Sequence, residues 1–145
     1  MVPVEVSLVR KSLLAARERT RARAQQRREY MAEAEAGYRS FLETTATPIA
    51  RQLAQALKAE GYPFTVFAPS DGLRLSSDHG RDDYIELSLD TSAELPQVVG
   101  RVSRVRGSRT MTAERALKPG APPSEITEAE VLAYFVEALE PWLER

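Results

Sequence analysis

The chain has no cysteine, no asparagine, one histidine and one tryptophan in 145 residues. Without cysteine there are no disulfides, no thiolate nucleophile and no Cys-based zinc site. One histidine gives conventional acid–base or nucleophilic chemistry little to work with, although it leaves a carboxylate enzyme open. No segment approaches the roughly 20 apolar residues of a membrane-spanning helix. The opening "MVPVEVSLVRK" has neither a cationic lead into an apolar stretch nor a small-residue cleavage site. A cytoplasmic protein without a membrane partner is the expectation. Lysine is scarce as well: 3 residues against 17 arginines. Genome composition and heat adaptation both account for that bias.

What is present is ordinary in amount and unusual in arrangement. Apolar residues make up 43% and charged residues 28%, as in a typical globular domain, and the net charge is only −1. That near-neutrality conceals a segregation. Residues 1–28 carry eight basic groups against Glu5 and Glu18, a net +6, whereas residues 124–145 carry six glutamates against Arg145, a net −5. Such asymmetry bears on association rather than on fold.

The basic end is helical by its period. Small or apolar residues recur at Val9, Leu13, Ala16, Thr20, Ala24, Met31, Ala34, Tyr38, Phe41, Thr45, Ile49, Leu53 and Ala56, with Arg27 the one interruption. The mean step is close to the 3.6 residues of an α-helix. Ser7 suits the N-cap and Gly61 the stop. Pro48 must interrupt the hydrogen-bond ladder, so either Thr47 caps a second helix or one helix kinks there.

Alternation then replaces helical period. "YPFTVFA" (62–68), "LRLSS" (73–77) and "YIELSLD" (84–90) read as strands of an antiparallel meander, with a turn at 69–72 and a loop at 77–83. Residues 95–107 are double-valued. Val98, Val99, Val102 and Val105 fit a short amphipathic helix, yet Gly100 and the β-branched residues favour a strand paired with 109–115. Thr127 and Glu130 form a capping box opening a last helix, in which Val131, Leu132, Phe135, Leu139 and Trp142 should face the core. Trp142 should anchor that helix on the sheet, and Tyr30, Tyr38 and Phe41 read as core or dimer seam.

The expected fold is therefore α+β: a long N-terminal helix kinked or broken near Pro48, an antiparallel meander of four or five strands, and a C-terminal helix packed on the sheet. Residues 1–29 form a basic helical arm on a single α+β domain at 30–145. At fold level alone, this element order resembles small acidic dimeric secretion chaperones; no motif carries the likeness.

A helix over 8–45 would run about 57 Å. A compact domain of this size is about 38 Å across. The first half of the helix must project, bend back or lie on another chain. Its stripe between Ala16 and Met31 offers only small residues. Arg10, Arg17, Arg21 and Arg28 line one flank, Arg19 and Arg23 the other, and Arg27 breaks the stripe itself. A negative surface would relieve this like-charge crowding. It could be the acidic C-terminal helix of the same or a second chain, another protein, or nucleic acid; the remaining alternative is a block that stays disordered when alone. A second basic patch at Arg101, Arg104, Arg106 and Arg109 adds to the nucleic-acid reading.

Catalytic residue types gather only in "DHGRDD" (78–83), where His79 and Asp82 are weak metal-ligand candidates. Loop geometry explains the same residues. GxSxG, GxGxxG, HExxH and P-loop motifs are absent, and no cofactor is implied. The expectation is a non-enzymatic interaction protein, homodimeric by the coiled-coil-like logic of its helix, with a nucleic-acid accessory as the alternative.

Overall fold

A computed structural model describes residues 5–69, 71–92 and 95–144. Helix α1 (Val6–Phe41) continues through a single π-helical turn (Leu42–Ala46) into α2 (Thr47–Ala59). Five strands follow: β1 (Phe64–Phe67), β2 (Leu73–Ser77), β3 (Tyr84–Asp90), β4 (Gln97–Arg106) and β5 (Arg109–Ala116). A 3-10 turn (Pro123–Glu125) leads into α3 (Glu128–Leu143).

The interruption expected at Pro48 is neither a capped second helix nor a break. The backbone stays right-handed helical at Phe41, Leu42, Ala46 and Thr47, and Thr47 caps nothing with its side chain. The missing N–H of Pro48 and its ring would spoil an ordinary turn. The ladder instead widens by one residue, with the Thr47 N–H donating to the Leu42 carbonyl. At the start, Ser7 is not the N-cap. Glu5 holds that position in extended conformation without a side-chain cap, and the Ser7 hydroxyl donates to its carboxylate at 3.4 Å. The stop at Gly61 stands: with φ at 90°, the N–H of Tyr62 reaches Leu57 and that of Gly61 reaches Lys58.

The strands form one antiparallel sheet in sequential order. Residues 95–107 resolve as strand over β4, whose partner is β5. The turn expected at 69–72 includes Ser70, which lies outside the described residues; Gly72 N–H donates to the Pro69 carbonyl. Register places Val66, Leu75, Ile85, Val102 and Ala113 in one row of the inner face, and Leu73, Leu87, Gly100 and Arg115 in the next. The outer face is largely polar, with Phe67 and Val105 exposed on it. Arg74, Glu86, Arg101 and Glu114 stand side by side across four strands in alternating sign. Arg74 pairs with Glu86, and Arg101 with Glu114 at 3.5 Å. Such exposed pairs contribute little stability, but they keep the face in water.

All helices serve the inner face. Tyr38, Phe41, Leu42, Ala46 and Leu57 join Leu73, Leu75, Ile85, Leu87 and Val98, with Val131, Phe135 and Leu139 from α3. The Tyr38 hydroxyl donates to the Leu87 carbonyl at 3.2 Å and fastens α1 to the middle strand. Burial, with Asp71 and Glu86 nearby, pushes this phenol well above its ordinary pKa.

The capping box of α3 is formed in both directions. The Thr127 backbone N–H holds the Glu130 carboxyl below the usual carboxylate range, and the Lys118 ammonium 3.3 Å away acts in the same sense. Trp142 is half-buried and meets the Phe64 ring edge-on at 5.8 Å, so it does anchor α3 against the sheet.

Leu132 is a correction. It points outward, and Tyr134 and Ala138 are buried in the positions that complete the core face. Tyr134 fits because residue 100 is glycine: a Cβ there would lie 2.0 Å from the phenol oxygen. Among the described residues that oxygen has no hydrogen-bond partner. Burial pushes the Tyr134 phenol up to about 12, against the opposing pull of Arg115, whose guanidinium sits 4.7 Å over the ring.

Candidate functional site

Burial divides α1 into two parts. From residue 31 onward its stripe residues Met31, Ala34, Tyr38 and Phe41 are half-buried or buried. Over residues 5–30 every residue is exposed except Ala16 and Ala24, which are half-buried. That stretch extends about 39 Å. Its helical state has two local causes. Ala, Arg, Gln, Glu and Leu, all strong helix formers, supply most of it. It also grows from a helix already anchored in the core, so it bears no separate nucleation cost.

Two properties coexist on this arm. The tip shows an apolar stripe in which Val6 is 84% and Leu13 70% exposed, with Val9 between them. Beyond it come the arginines. At 100° per residue Arg10, Arg17, Arg21 and Arg28 share one flank of the stripe, and Arg19 and Arg23 the other. None of these, nor Arg27, makes an ion pair with a described residue; the pairs formed involve Arg74, Arg101, Arg115 and Lys118. Arg17 and Arg21, Arg19 and Arg23, and Arg23 and Arg27 are like-charge neighbours one turn apart, each weakening the helix by a few tenths of a kcal/mol. The local polar contacts are modest: Thr20 Oγ1 donates to the Ala16 carbonyl at 2.9 Å and Gln26 to the Tyr30 hydroxyl at 2.9 Å.

The expectation that the acidic end of the same chain lies along these arginines is therefore not met. Helix α3 spends its inner face on the sheet and on the residues around Phe41 and Leu42. Tyr30, expected in a core or seam, is exposed. It stands where two clefts meet. One, about 340 Å³, runs between Ala34, Gly37 and the 120–124 loop; the other, about 620 Å³, lies between Thr20, Arg27 and Leu95.

The second basic run is split by strand alternation. Arg104, Arg106 and Arg109 belong to the inner-face rows at the far end of the β4–β5 hairpin, whereas Arg101 lies on the outer face beside Glu114. The 78–83 loop is held to β4 by side-chain-to-backbone hydrogen bonds: Ser103 Oγ donates to the Asp82 carbonyl at 2.6 Å, and the Val105 N–H donates to Asp83 Oδ1 at 2.9 Å. His79 is exposed and borders a cleft of about 390 Å³ with Asp83, Arg104 and Trp142; Asp82 does not line it. Among the described residues no three His, Asp or Glu side chains gather as metal ligands. Among them, too, no helix is long and apolar enough to cross a membrane.

The feature that sequence reasoning missed is the outward face of α3, where Leu132, Val136 and Leu143 are exposed. Its signal was present: apolar residues occupy more than half the turn of this helix, too many for one buried face. Comparison with known protein families, with characterised proteins and with solved structures finds no match for this chain.

Proposed function

We propose that this chain is a non-enzymatic assembly or adaptor protein, homodimeric, whose arginine-rich arm docks a second protomer or partner. The observation that carries the reading is the arm itself: an exposed apolar tip and seven arginines that form no ion pair with a described residue, on a helix rooted in the core. Exposed aliphatic rows on a soluble helix mark association surfaces. A chain without cysteine is at home in a reducing cytoplasm.

The free guanidinium groups also support a second reading, phosphate tracking along nucleic acid. The separation of Arg101 from Arg104, Arg106 and Arg109 weakens it, because the 101–109 run does not form one basic patch.

One measurement separates the two. Light scattering of the full chain, before and after nuclease treatment, should give twice the 16.2 kDa chain mass both times. Removal of residues 1–28 should return a monomer. A mass that falls on nuclease treatment supports the nucleic-acid reading. A monomer throughout, with nothing bound, refutes both.

A further inference from the structure

Taking the arm as a docking element, we propose that its acceptor is the outward face of α3 on a second copy of this chain, each protomer giving its arm to the other. Outside the arm, the exposed large aliphatic side chains on described helices are Leu132, Val136 and Leu143, at 45%, 44% and 40% exposure. At 100° per residue they fall within about 40° of one another, a row about 16 Å long. Glu137, Glu140 and Glu144 follow as a second row along one side of it. Glu140 and Glu144 have no ion-pair partner among the described residues, while Glu137 is taken by Arg115 at 2.9 Å.

The arm is complementary in both respects. Ala16, Thr20 and Ala24 present a shallow strip on which leucine and valine side chains can seat, and arginines stand on either side of that strip to meet carboxylates. An arm-against-arm coil does not share this property. With arginine on both flanks, parallel and antiparallel pairings alike bring guanidinium rows together. Within a single chain the match is unused, since the arm is exposed and its arginines form no ion pair with a described residue. Every copy holds one arm and one α3, so reciprocal exchange closes as a two-fold dimer and leaves no free end to polymerise.

Two full-length variants test this. The first carries Arg17→Glu with Arg21→Glu; the second carries Glu140→Arg with Glu144→Arg. Each alone should dissociate about 100-fold more readily than the parent, since like charges then face each other at both contacts of the dimer. Mixed one to one, both contacts regain opposite charges, and a heterodimer should form with affinity within about tenfold of the parent. Circular dichroism melting of each variant checks that the fold is intact. If only the arm variant dissociates, the arm docks elsewhere: the acceptor is wrong and the docking reading stands. If both dissociate and mixing restores nothing, the acceptor is again wrong. If neither dissociates, or the parent is a monomer, the docking reading falls with it.

Discussion

The two halves of the N-terminal helix are written in the same period and meet opposite fates. Downstream of residue 30, the stripe carries Tyr38, Phe41 and Leu42, which are buried on the sheet. Upstream, the equivalent positions hold Ala16, Thr20 and Ala24 between arginines, and none of these is buried. Period therefore reports that a helix forms. The size of the stripe residues and the charge beside them report whether the body can receive it. Large apolar residues repay burial at roughly 25 cal/mol per Å²; alanine offers too little area to offset confining guanidinium groups.

That contrast can be broken from either side. The largest effect belongs to Phe41→Ala, which removes a ring only 4% exposed; denaturant titration should show a loss of about 3–5 kcal/mol. Next is Gly100→Ala, where the added methyl meets the Tyr134 ring at 2.1 Å and cannot be accommodated without displacing that ring. The expected loss is about 1–3 kcal/mol by the same titration. The smallest effect is that of Leu13→Ala on the same helix as Phe41. The unfolding free energy, measured at a concentration too low for association, should change by less than about 0.5 kcal/mol. A larger loss there would mean the arm is packed after all, and the contrast would vanish.

Much of this architecture was legible in the residues. The meander followed from alternation in "YIELSLD" and its neighbours, the last helix from Thr127 and Glu130, and the helix stop from Gly61. What stayed hidden depended on neighbours distant in sequence. Leu132 and Tyr134 are both apolar enough for a core, and only the space above Gly100 decides between them. The arginines of 101–109 look like one patch until a strand is recognised, whereupon alternation sends Arg101 to the opposite side. Pro48 announces a disturbance without revealing its form, because a widened turn and a break remove the same hydrogen bond. The proposed docking surfaces were half visible: the basic arm was apparent from composition, and the α3 face emerged only after the core had claimed its own residues.

The seating of α1 at Tyr38 has a mechanical consequence, because it lies upstream of Pro48 and does not depend on the widened turn that follows. As built, the rod is seated in the globule through Tyr38 and Leu87, so the direction of its tip and the attitude of the sheet are fixed together.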